Sequence, residues 1–135
     1  MVDISIKTVL EELMCIAELR YIKPDGKEHK RRYNCVRLEA DSVHRAELKA
    51  LIVGLREIRC PARVTAYLKT SHSIAAINQD WARNWKKNGW KNQKGKLVRD
   101  WELWKEIYDI ADAKGIILSG GGYYDNMGNA DKEIP

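Results

Sequence analysis

Cysteine is scarce in this 135-residue chain. The three that occur, Cys15, Cys35 and Cys60, are odd in number, far apart, and lack the paired spacing of a metal knuckle or a disulfide framework. They read as small core residues of a protein kept in a reducing cytosol. No apolar run approaches the roughly 18 residues that span a bilayer, and no basic n-region followed by an apolar stretch opens the chain. Membrane spanning and secretion are therefore not expected, and a cytoplasmic location is. Acids are missing from one stretch altogether. Between Trp81 and Arg99 stand seven basic residues (Arg83, Lys86, Lys87, Lys91, Lys94, Lys96 and Arg99) and no Asp or Glu.

That stretch continues to Trp104 and holds all five tryptophans: Trp81, Trp85, Trp90, Trp101 and Trp104. A basic run with interleaved indoles suits nucleic acid, because Lys and Arg neutralise phosphates while the rings stack beside bases and sugars. The spacing also fits packing: Trp81 and Trp85 at i, i+4, and Trp101 and Trp104 at i, i+3, are positions that a helix turns inward. Trp81, Arg83, Trp85, Lys86, Lys87, Trp90, Lys91, Lys94 and Lys96 are the candidate nucleic-acid-binding residues. The net charge of +5 permits such a partner, and the chain length fits one domain with a core of its own.

Taken in order, Val2 to Val9 alternates polar and apolar residues as a half-buried strand does. Leu13 to Ile22 and His29 to Leu38 read as two further strands joined across the turn Pro24-Asp25-Gly26. Ser42 offers an N-cap to a helix with Leu48, Leu51, Ile52, Leu55 and Ile58 at helical spacing. Arg63 to Lys69 is a fourth strand, central if the helix crosses over the sheet. A short helix capped by Ser71 runs to Ile77, and another starts near Asp80. Asp100 caps a last helix ending at Gly115, and Ile116 to Ser119 is a fifth strand. The tail from Gly120 to Pro135 is expected to be mobile.

The order β-β-β-α-β-α-β with a basic, Trp-rich insertion before the last helix resembles the ribonuclease H type 1 fold. HRAELKALIVGL looks like that family's main helix, NWKKNGWKNQKGKLVRDWELW its basic handle (about 80–100), and NADKE its closing segment. The resemblance implies an α/β (α+β) fold: a five-stranded mixed sheet, helices on both faces, and the handle at one end. It also implies cleavage of the RNA strand of an RNA–DNA hybrid by two Mg²⁺ ions. Such ions require clustered hard oxygen ligands, since two of them flank the attacking and leaving oxygens of the displacement.

The family's four carboxylates are an Asp on the first strand, a Glu at the start of the main helix, an Asp ending the fourth strand and an Asp near the C-terminus. Glu47 matches the Glu and Asp131 the last Asp, whereas Lys7 and Thr70 stand at the other two positions. The amides that precede the family's Arg-Met-Glu are replaced by Val43 and His44, and its His-bearing loop falls on Gly120 to Gly122. An ammonium at position 7 turns metal attraction into repulsion, and it has Glu47 as a possible ion-pair partner. Glu47 also has a plain use as an acid in the first turn of a helix. Glu11 and Glu12 offer acids from which a metal site with Glu47 and Asp131 could be rebuilt. His44 and His72 lie near helix starts, and neither has a second ligand at metal spacing.

Three readings follow. The first is a catalytically silent module, as a phage or mobile element might carry, that binds hybrid or duplex through the handle with no cofactor. The second is a ribonuclease H with weak activity at a rebuilt Mg²⁺ or Mn²⁺ site. The third is a scaffold for a protein partner or a second copy of the chain.

Overall fold

The computed structural model describes residues 2–11, 14–23, 25–37 and 42–122. Three strands come first: β1 (Val2–Glu11), β2 (Met14–Ile22) and β3 (Glu28–Arg37). Helix α1 (Val43–Glu57) leads to β4 (Ala62–Leu68), then to α2 (Ser71–Asn78) and α3 (Trp81–Lys87). Helix α4 (Trp101–Lys114) and β5 (Ile116–Gly122) complete the described fold. The strands form one mixed sheet in the order β3-β2-β1-β4-β5, antiparallel from β3 to β1 and parallel from β1 to β5.

Strand alternation decides where the core lies. Ile6 and Thr8 of β1 are buried, as are Ala62, Val64, Ala66 and Leu68 of β4. Gly54 brings the α1 backbone against this face: a Cβ there would stand 3.0 Å from the Ile6 side chain and 3.2 Å from Leu19. Ile74 of α2 presses on Gly120 of β5 on the same face, and α4 packs against α1 and β5. The helices were expected on both faces; among the described residues they share one. The core they close includes Trp104, Leu48, Leu51, Leu55 and Ile107, each essentially without exposure. Burying side chains of this size stabilises the fold by roughly 1.5–3 kcal/mol apiece.

The helix ends correct three expectations. Ser42 does cap α1, accepting from Arg45 N at 3.2 Å. Asp100, however, precedes α4 in the left-handed region (φ 60°) with no capping bond from its side chain, because that carboxylate is drawn inward. The short helix α2 is capped from Thr70, not Ser71, again without a side-chain bond. The third concerns Gly120 to Gly122: pairing with Ala66, Tyr67 and Leu68 carries β5 through them, so they are strand and not loop. Residues 123–135 lie outside those described, as do Glu12 and the side chains of Glu11 and Cys35. Cys15 is buried as expected, whereas Cys60 is exposed.

One cation ties the two long helices together. The Lys114 ammonium donates to the carbonyls of Leu55 (3.0 Å), Arg56 (2.7 Å) and Ile58 (2.7 Å) at the end of α1, where Leu55 O also accepts from Ile58 N at 3.3 Å. Positive charge at a helix C-terminus also meets the favourable end of the helix dipole. Lys114→Met should therefore lower stability by about 1–3 kcal/mol, read as a fall in denaturation midpoint at unchanged slope. An unaltered midpoint would show that water replaces the ammonium at no cost.

Candidate functional site

Glu47 lies one turn into α1, on the side turned towards the sheet, and has no exposed surface. Its carboxylate reaches the junction between β4 and α2. There it accepts from the backbone N–H of Lys69 at 2.8 Å and of Thr70 at 3.4 Å. Burial raises its pKa, against a lowering by those two N–H groups. The expected ion pair with Lys7 is not what occupies these oxygens. Lys7 is registered beside Glu18 of β2 and Tyr67 of β4, and strand alternation turns it to the face opposite Ile6, away from α1.

The metal expectation can be set against these residues. Among the described residues no three His, Cys, Asp or Glu side chains converge into a group able to hold a metal ion. Glu47 contributes one carboxylate, already engaged by main-chain donors, and the two strand positions offer an ammonium and a hydroxyl. This donor set does not fit a pair of hard divalent ions. Asp131 lies outside the described residues.

Beside Glu47 is a second buried polar cluster, which the sequence reading missed. Ser73 Oγ lies 3.0 Å from His44 Nδ1, and His44 Nε2 lies 3.3 Å from Asp100 Oδ2. Arg45 binds the other oxygen of Asp100. Asp100 is nearly buried, and no hydrogen bond of good geometry reaches its Oδ2. Burial lowers the pKa of His44, partly opposed by Asp100. Ser73 has no exposed surface and Asp100 little, while His44 between them is partly exposed, so this Ser-His-Asp arrangement joins α2, α1 and the base of the handle. Ser73 is 29 residues from His44, and Asp100 is 55 from Arg45, so only the fold brings them together.

The handle divides its expected residues into two sets. Arg83 and Lys86 are held back by α4: Arg83 bonds Asp112 at 2.9 Å and lies 4.7 Å over the Tyr108 ring, while Lys86 reaches Asp112 at 2.6 Å and Asp109 at 3.4 Å. With Arg83 first and Lys86 second, these cations hold the Asp112 carboxyl down at about 2. Lys87, Lys91, Lys94 and Lys96 are exposed. Trp90 is 5% exposed and serves the core, which corrects its assignment to a binding surface. Its left-handed backbone (φ 66°) and a 2.9 Å bond from Val98 N to its carbonyl fold the handle back on itself. Asn92 Oδ1 accepts from Lys94 N and Lys96 N, fixing the tip.

Trp81 and Trp85 are half-buried. His72 lies beside both, with ring centroids 5.6 and 6.5 Å away, and Trp85 meets Trp104 edge-on at 6.0 Å. Their outer edges border a cleft of about 590 Å³ lined also by Asn84, Asn88, Lys91 and Lys94. The arrangement can do two things chemically: neutralise phosphates with exposed ammonium groups, and offer aromatic edges and amides beside them.

The family model of RNase H matches residues 19–119. The ribonuclease H of Caldicellulosiruptor saccharolyticus is 39% identical over 93 residues, covering 67% of this chain and 64% of that protein. That of Lachnoclostridium phytofermentans is 37% identical over 89 residues, covering 66% and 56%. The matched region thus spans less than two thirds of either relative. Among solved structures, a type 1 RNase H with the type 2 active-site motif superposes with a TM-score of 0.60 at 14% identity, covering 90% of this chain and 63% of that one. A foamy viral protease-reverse transcriptase in complex with RNA/DNA hybrid superposes with a TM-score of 0.63 at 15% identity, covering 96% and 18%. With the sheet order, the Glu47 helix and the folded-back handle already in place, this chain belongs to the RNase H family.

Proposed function

We propose that this protein binds nucleic acid, as RNA–DNA hybrid or duplex, through the exposed lysines of its handle, and that its former reaction centre has become a structural tie. The observation that carries this reading is the donor set: a buried Glu47 already bound by the main-chain N–H groups of Lys69 and Thr70, with a hydroxyl at Thr70 and an ammonium, Lys7, turned to the other face of the sheet. At about 4 Å and an effective dielectric near 20, unit charges interact by roughly 4 kcal/mol, and a divalent ion about doubles that. Lys7 supplies none of that attraction, since an ammonium stands where the resemblance implies a carboxylate. Relatives named ribonuclease H favour retained cleavage as the alternative, and a hybrid-cleavage assay with Mg²⁺ and Mn²⁺ separates the two. The proposed reading expects no cleavage. Metal-dependent cleavage abolished by Glu47→Gln would establish the alternative.

Handle binding has its own signature. Replacing Lys87, Lys91 and Lys94 together with alanine should weaken hybrid binding equally across sequences and lower the salt slope by about one for each phosphate no longer neutralised. Replacing Arg83 or Lys86 should do less to the affinity, since α4 already holds both. Equal losses of affinity from the two sets would place the binding surface elsewhere.

The Glu47 tie predicts a pH effect of definite sign. Its folded pKa is raised above the ordinary 4.5. Stability from the neutral carboxyl is therefore complete below the unfolded pKa and is lost as pH rises through the folded one. Glu47→Gln should flatten the decline in stability above pH 4.5, measured as denaturation midpoint against pH. An unchanged profile would mean that the carboxyl titrates normally.

Restoring carboxylates offers the converse experiment. The double variant Lys7→Asp, Thr70→Asp should acquire Mg²⁺ binding detectable by calorimetry, where the native chain is expected to show none. Silence from the double variant would mean that the strand ends no longer converge on Glu47.

A further inference from the structure

Among the described residues, the sheet face away from the helices is largely polar, with Val9, Ile16, Ile22 and Ile117 its apolar members, and it is built in rows. Register and alternation line up Lys30, Arg20, Ser5, Thr65 and Ser119 across all five strands. The adjacent row is Arg32, Glu18, Lys7, Tyr67 and Gly121. Asp3, Arg63 and Ile117 follow on the other side. Among the described residues three ion pairs cross between strands on this face, Arg20–Glu28 at 2.9 Å, Arg32–Glu18 at 3.2 Å and Arg63–Asp3 through two bonds of 2.8 and 2.9 Å, and Lys30 joins Glu28 within β3 at 3.8 Å. Thr65 and Ser119 hydroxyls meet at 3.4 Å in the middle.

Parallel strands such as β1, β4 and β5 are ordinarily covered on both faces and read as continuous apolar runs. Here the outer residues of those strands are polar apart from Val9, Ile117 and Gly121. A helix or apolar surface laid on this face would strip water from three ion pairs, and desolvation would offset what the association gains. The fitting partner is itself charged and hydrated. Among the described residues five cations (Lys7, Arg20, Lys30, Arg32 and Arg63) share this face with three carboxylates (Asp3, Glu18 and Glu28), and exposed Lys23 and Lys27, with Asp25 between them, add positive charge at the β2–β3 turn.

The face also has a ring and a hollow. Tyr67, half-buried, lies over Gly121, where any Cβ would stand 2.7 Å from its Cε1. Beside it Asp3, Ser5, Arg20, Arg63 and Thr65 border a cleft of about 790 Å³. Hydroxyls in a line, cations at the margin and one accessible aromatic are what an unpaired strand needs, since its bases stack on rings and its phosphates follow positive charge. A duplex keeps its bases stacked within itself and has no use for the ring.

We propose that this open sheet face is a second nucleic-acid surface, separate from the handle, that binds single-stranded nucleic acid. It stands independently of the handle reading. Fluorescence anisotropy of the full chain tests it with two labelled probes, a short oligothymidylate and an RNA–DNA hybrid. Tyr67→Ser should weaken oligothymidylate binding about tenfold and leave hybrid binding unchanged. Lys23→Ser with Lys30→Ser, at exposed positions where folding is safe, should lower the oligothymidylate salt slope by about two. The alanine variants of Lys87, Lys91 and Lys94 should show the reverse selectivity. Oligothymidylate binding that survives the Lys23/Lys30 variant with an unchanged salt slope overturns the proposal and leaves the handle reading untouched. So does displacement of the oligonucleotide by polyglutamate as readily as by unlabelled oligothymidylate, which would make the face a protein-docking surface.

Discussion

Glu47 has no water around it, so its carboxyl oxygens must be satisfied by whatever the fold brings to them. The fold brings two main-chain N–H groups, from Lys69 and Thr70, at the point where β4 ends and α2 begins. Three elements meet on that carboxyl, and much else follows from its position. It fixes α1 over the sheet and α2 at the sheet's end. Through α2 it fixes the entry to the handle, and His44 and Arg45, a turn earlier on α1, hold Asp100 at the handle's exit.

The same economy governs the handle's charge. Seven basic residues in one stretch would repel one another, but Asp109 and Asp112 on α4 gather Arg83 and Lys86 against the body. The remaining lysines project from a loop whose shape is set by Trp90, Val98 and Asn92 and not by its cations. A stiff base with exposed ammonium groups beyond it suits phosphate binding, because little ordering is left to be done when the ligand arrives.

Much of this was legible in the sequence, and what was not has physical causes. Period-two alternation in Val2 to Val9 and helical spacing from Leu48 to Leu55 are local signals, so the strands and α1 fell within a few residues of their places. The expectation that Lys7 and Thr70 stand where the family has carboxylates rests on family resemblance alone. The Ser73–His44–Asp100 cluster was not, since its members come from three segments with no common pattern. Trp90 reads as a surface residue because a basic neighbourhood hides an inward turn that depends on positive φ at Gly89 and Trp90. The polar sheet face was visible as alternation in His29 to Arg32, but its meaning needed strand order: only the sheet shows that the hydroxyls of Ser5, Thr65 and Ser119 stand in one row.

The central claim is that this family member no longer gathers divalent ions at Glu47. A crystal soaked in manganese tests it most directly, through anomalous scattering beside the Glu47 carboxylate. The account predicts no manganese peak there and Glu47 still bound to Lys69 N and Thr70 N. Two manganese peaks bridged by Glu47, with Lys7 swung clear, would contradict it.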